Sequence, residues 1–195
     1  MLQKLAAAQL MSLEQYARER PALRAGMIEH RRARQLYVGE HCSWSFEDRR
    51  TVHYQLQEML RSERIFEPEA IAEELETYNP LIPDGSNLKA TLMIEYADAA
   101  ERARRLAELR GFERHCWMRF AGFEPVYAIA DEDLLRENDT KTSAVHFLRF
   151  EFSAAMISGV KAGGALSAGV DHPAYHYTID PLPEGLRREL LGDFD

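Results

Sequence analysis

Cysteine is nearly absent from this chain: Cys42 and Cys116 are the two thiols among 195 residues, too few for a disulfide scaffold, and they form no CxxC pair. No run approaches the roughly twenty apolar residues that span a bilayer. The N-terminal MLQKLAAAQLM has a short apolar stretch broken by Gln9, so no signal peptide is read. These absences point to a cytoplasmic protein with reduced thiols and no membrane role. HExxH, GxGxxG and GxSxG are missing, and AGGALSAG lacks the Lys and Ser/Thr that complete a phosphate-binding loop. The paired Glu-x-x-His motifs of di-iron bundles are missing too. Positive charge is in deficit: 24 Lys and Arg against 32 Asp and Glu leave a net charge of −8. That argues against nucleic-acid or anionic-membrane binding, which draw affinity from neutralising phosphates.

What is present is ordinary for a globular chain. A hydrophobic fraction of 46% with 29% charged residues is enough for one well-filled core, so residues 1–195 are read as a single domain, with 1–11 a candidate disordered tail. Ser12 followed by Gln15 resembles a capping box opening a short helix, and Pro21 suits the first position of a second. The latter ends in Arg31, Arg32 and Arg34 with His30, either a solvated helix end or, with Arg24, a phosphate-binding surface. Two strand-like pieces, QLYV and CSWSF, read as a hairpin around Gly39. Helices follow, over FEDRRTVHYQLQEMLRSERI and from Pro68 to the Asn79-Pro80 stop.

The second half turns to strands. LKATLMIEY, a helix capped by Asp98 and closed by Gly111, and HCWMRF together suggest a βαβ-like unit. PVYAIAD and AVHFLRFEF are further strands separated by the polar, mobile-looking DLLRENDTKT. Ser153 caps a helix to Lys161, ALSAGV and AYHYTID flank a tight DHP turn, and Pro183 starts a terminal helix. The pattern predicts an α+β fold with a mixed, mostly antiparallel sheet flanked by helices.

The order FEDRRTVHYQLQEMLRSERI, YNPLIP, LKATLMIEY, KTSAVHFLRFEF and GVDHPAY resembles the bacterial and archaeal family catalogued as domain of unknown function 3501, over nearly the whole chain from about Ser12. That family has no assigned activity and no catalytic residues to carry over. Its gene neighbourhoods, with rubrerythrin-type proteins and iron–sulfur oxidoreductases, imply an association with redox or oxidative-stress metabolism. Polar positions matching the pattern are Glu47, Tyr54, Gln55, Glu58, Arg61, Glu63, Arg64, His146, Arg149, Asp171, His172 and Tyr175; the two cysteines lie outside it.

Several of these residues invite chemistry. Glu63 falls on the same helical face as Val52, Leu56, Met59 and Leu60, so it must reach solvent at the helix end, pair with Arg61 or Arg64, or work in a cleft. Gln55, Glu58 and Ser62 form a polar stripe, and Arg149, on an aromatic-rich strand, is the attractive partner for Glu58 or Glu63, either in a structural network or in a small-anion or redox-linked site. Asp171, His172 and His176 crowd the DHP turn. In a strand the two histidines stand about 13 Å apart, too far for one ion, so a turn held by backbone hydrogen bonds is the simpler reading. His41-Cys42 and His115-Cys116 each split across two faces of a strand, which weakens a zinc reading.

Two functions follow. One is a cytoplasmic accessory protein of redox or oxidative-stress metabolism, acting through a protein partner or as a homo-oligomer. The other is a metal- or small-anion-dependent enzyme with a pocket of Gln55, Glu58, Arg61, Glu63, Arg149 and His172. No cofactor is required by the sequence; iron, manganese or zinc would draw on His41 and His172.

Overall fold

A computed structural model describes residues 4–130, 132 and 140–195. Helix α1, Leu13–Ala33, opens at Ser12, whose side chain accepts from the Gln15 amide at 3.2 Å. The two helices expected here are one helix of 21 residues with Pro21 inside it. Proline removes one backbone hydrogen bond and crowds the preceding turn. The helix is nonetheless anchored before the proline by Tyr16 and Arg20, which both bind Glu58 of the next helix, and after it by buried Met27.

Strands β1 (Gln35–Tyr37) and β2 (Cys42–Glu47) form the expected hairpin, with Leu36 opposite Trp44 and Gly39 at φ 77° in the turn. Asp48 then caps α2, Arg49–Glu63, through a reciprocal pair with Thr51, and α3 spans Pro68–Tyr78. Residues 4–11, read as part of a candidate tail, are docked: Asn79 binds both the N–H and the carbonyl of Leu5, and Gln57 accepts from the Met11 amide at 2.6 Å.

Strand β3 (Asn87–Ile94) leads through α4 (Ala99–Glu108) to β4 (Cys116–Phe120). The three do not form a βαβ unit, because β3 is already flanked on both sides and β4 enters a different sheet. The PVYAIAD segment is likewise two strands, β5 (Val126–Tyr127) pairing with β4 and β6 (Ile129–Ala130) pairing with β7 (Val145–Glu151). It changes sheets at Ala128, whose amide donates to the Cys116 carbonyl at 2.9 Å. The polar stretch expected to be mobile falls mostly on 133–139, outside the described residues.

After α5 (Ala154–Lys161), strands β8 (Leu166–His172) and β9 (Tyr175–Ile179) make a hairpin, and α6 (Glu184–Leu191) closes the chain. The result is an α+β domain with two antiparallel sheets, ordered β1-β2-β3-β7-β6 and β5-β4-β8-β9. Their facing sides share one core: Trp44, Phe46, Leu92 and Phe150 from the first meet Met118, Phe120, Ala168 and Val170 from the second. A smaller core of Val52, Leu56, Leu60, Leu75, Tyr78 and Ile82 joins α2 to α3. No helix among the described residues is long and apolar enough to cross a membrane.

Candidate functional site

Alternation decides what the outer face of the five-stranded sheet presents. Because Leu88, Ala90, Leu148 and Phe150 point into the core, Lys89, Thr91, Phe147 and Arg149 point away from it. Register then aligns them: Glu47, Lys89 and Arg149 are opposite one another across β2, β3 and β7, and Ser45, Thr91 and Phe147 form the neighbouring row. Beside this face stand Gln55 of α2, the end of α3 at Glu76, Thr77 and Tyr78, and Pro80 and Leu81 beyond it. Between helices and sheet lies a cleft of about 580 Å³, also lined by Glu132, in the size range of small-molecule sites.

The charges in this cleft differ in how completely they are matched. Glu47, 7% exposed, accepts from the Thr51 hydroxyl at 2.5 Å and the Thr91 hydroxyl at 2.8 Å. Arg149 donates through Nε and Nη2 to the two oxygens of Glu132, each at 2.8 Å, and through Nη1 to Glu151 at 2.5 Å. These hydrogen bonds, Glu132 first, raise its pKa further and hold the Glu132 carboxyl below its usual range. Lys89 is different: among the described residues its ammonium makes one hydrogen bond, to the neutral carbonyl of Pro80. Burial lowers its pKa, Asp84 opposes the shift, and the like charge of Arg149 adds to it. Gln55 and Tyr78 line the same wall of the cleft.

Of the residues singled out in the sequence, the cleft brings together Glu47, Gln55 and Arg149. Glu58 is not Arg149's partner. It lies against α1, where Arg20 clamps both its oxygens at 2.7 and 2.8 Å and the Tyr16 hydroxyl donates at 2.6 Å. Those contacts, Arg20 foremost, hold its pKa down at about 2. Arg61 approaches the same carboxylate at 4.0 Å. Glu63 is exposed in the last turn of α2, the solvent-reaching alternative.

His172 sits in the β8–β9 turn, where its Nδ1 accepts from the Ala174 amide at 3.2 Å and its Nε2 faces the Arg110 carbonyl at 3.0 Å. With both ring nitrogens engaged it holds the turn. Its neighbour Asp171 instead binds His115 at 2.9 Å and Tyr127 at 2.5 Å. His41 stacks on Tyr96 at 4.1 Å and bonds the Glu95 carbonyl. Among the described residues no three His, Cys, Asp or Glu are placed to hold a metal. Both thiols are buried and unbridged; burial pushes Cys42 up to about 12 and Cys116 well above its usual value, so neither is a thiolate at neutral pH. The basic run is dispersed as well: Arg34 is 2% exposed and bound to Asp193, Arg32 pairs with Glu29, and His30 with Asp48.

Lys89, Tyr78 and Phe147 were not singled out in the sequence. The signal for two of them was the strand alternation itself, which sets Lys89 outward on β3 and Phe147 outward on β7; that these faces meet α3 depends on tertiary packing.

A model of the family described as "Protein of unknown function (DUF3501)" matches residues 4–194. The chain is also similar to a novel protein of unknown function from Burkholderia pseudomallei, known from a crystal structure, at 46% identity and a TM-score of 0.93, covering 99% of this chain and 100% of that one. No curated protein matches.

Proposed function

Because the chain belongs to the DUF3501 family, for which neither the family nor the similar crystal structure carries an activity, we propose from the geometry alone that it is a small-molecule-binding protein whose ligand occupies the cleft between α2–α3 and the outer sheet face. The observation that carries this is the pairing of a charged row, Glu47–Lys89–Arg149, with apolar walls supplied by Tyr78, Leu81 and Phe147 in a space of about 580 Å³. Apolar walls with a few convergent polar groups are the usual composition of a ligand site. Arg149, held by two carboxylates, acts as a fixed part of the floor, and Gln55 presents an amide at the wall. The two buried, unbridged thiols suit a cytoplasmic setting.

The test is saturable binding of the neutral probe 2-naphthylmethanol, followed by calorimetry. Thr77 is exposed on the cleft lining, so Thr77→Trp fills the mouth without entering the core. Wild-type protein is expected to bind and the variant to lose binding; equal binding by both would place the probe elsewhere and end this reading.

A second reading, the partner-binding accessory role, is supported by Ile129 and Val145, which are 42% and 37% exposed on strands bordering the same sheet face. Under it, Ile129→Asp with Val145→Asp should leave the melting temperature unchanged and convert any self-associated species to monomer in sedimentation velocity.

A further inference from the structure

Resting on the reading of the cleft as a ligand site, we propose that the cleft selects an anionic head group carried on an aromatic or apolar body, with Lys89 as the anchoring cation and Phe147 and Tyr78 as the walls that hold the body. Glu47 is bound by the hydroxyls of Thr51 and Thr91. Glu132 is engaged by the guanidinium of Arg149, and Glu151 by Arg149 and the amide of Asn87. Asp84 accepts from the backbone N–H of Ser86 at 3.0 Å. Glu76 is exposed on α3 at the cleft rim. Each carboxylate near the ammonium therefore has another donor or bulk water, while the ammonium itself holds one neutral carbonyl, that of Pro80.

A half-buried ammonium with a single neutral partner is under-matched, and two of its three N–H groups are available to an acceptor. Desolvation disfavours its charge and Arg149 adds to that, while Asp84, Glu132 and Glu151 favour it without a direct hydrogen bond to the ammonium; an anion seated between Lys89 and the open cleft adds a directly hydrogen-bonded counter-charge in a partly dry space. A cationic head group would approach Lys89 and Arg149 together, while Glu47 and Glu132 on the cleft floor already accept hydrogen bonds within the protein. The body is specified by the walls: Phe147, Tyr78 and Leu81 offer apolar contact.

The experiment compares 2-naphthoate, 2-naphthylmethanol and 2-naphthylmethylamine, nearly the same shape with head groups that are anionic, neutral and cationic, by calorimetry and by amide chemical shifts. Naphthoate should bind about tenfold or more tighter than the other two, the size of one charge-assisted hydrogen bond, and shift the amides of Tyr78, Lys89 and Phe147. Lys89→Met should abolish that preference, whereas Lys89→Arg should keep it. Naphthoate affinity should also fall as pH rises through the Lys89 titration, at a lower pH than the ordinary lysine value of about 10.4. Equal binding of all three probes in the cleft would overturn the charge preference and leave the cleft reading standing. Absence of shifts at the cleft amides with every probe would overturn both.

Discussion

Glu58 shows how a single carboxylate can be placed by partners the local sequence does not reveal. Its clamp by Arg20 and Tyr16 joins α1 to α2 through residues 38 and 42 positions away. A helical wheel identifies Glu58 as needing a partner but gives no means of choosing between Arg20 and Arg149. We expect Glu58→Gln to destabilise the protein by about 1–2 kcal/mol in chemical denaturation, since one arginine loses its charged acceptor. Glu63→Gln, in the exposed last turn of α2, should leave the midpoint unchanged to within about 0.5 kcal/mol. The pH dependence has a definite sign. The folded pKa of about 2 lies below the ordinary carboxylate value, so the stabilisation from Glu58 is complete above that ordinary value and is lost as pH falls towards 2. Glu58→Gln should therefore flatten the acid limb of a stability-versus-pH curve.

At the level of elements, the sequence was most readable where structure is set within a few residues. Ser12, Asp98 and Ser153 cap helices as their side-chain chemistry requires, each accepting from an amide three residues on. The alternation of His146, Leu148 and Phe150 against Val145, Phe147 and Arg149 was equally legible. What was not legible depends on pairing at a distance. Nothing within LKATLMIEY or HCWMRF says that the two strands belong to different sheets, and nothing within PVYAIAD marks Ala128 as the crossing point between them. Pro21 misled for a related reason: its local preference for a helix start is outweighed by contacts on both sides of it. If α1 is one continuous helix, Pro21→Ala restores the missing amide donor and should raise stability, by about 1–3 kcal/mol in denaturant titration. No gain, or a loss, would instead fit a helix that begins at Pro21.

Across the whole molecule, the C-terminal segment is tied to α1 and β2 by Arg34. It donates to the carbonyls of Phe46, Glu47 and Glu189 and to the carboxylate of Asp193, so α1, β2 and the C-terminal segment meet at one buried guanidinium. Read in sequence, Arg34 belonged to a basic run and to a surface; its burial follows from the return of a C-terminus more than 150 residues away. Arg34→Met should cost about 3–5 kcal/mol by leaving Asp193 and three carbonyls without their donor, measured as a lower denaturant midpoint. The same long-range closure makes the cleft, since α2 and α3 come early in the chain and β7 late. Gln55 and Arg149 were recognisable as polar residues needing partners, but their presence on one cleft, with Lys89 between the charged ends of its floor, emerges only when the sheet is assembled. The most direct measurement is a crystal structure of the protein soaked with 2-naphthoate. We expect the ring between Phe147 and Tyr78 and the carboxylate on the ammonium of Lys89. Density for the probe at another surface, or an empty cleft at a saturating concentration, would contradict the assignment of this cleft as the ligand site.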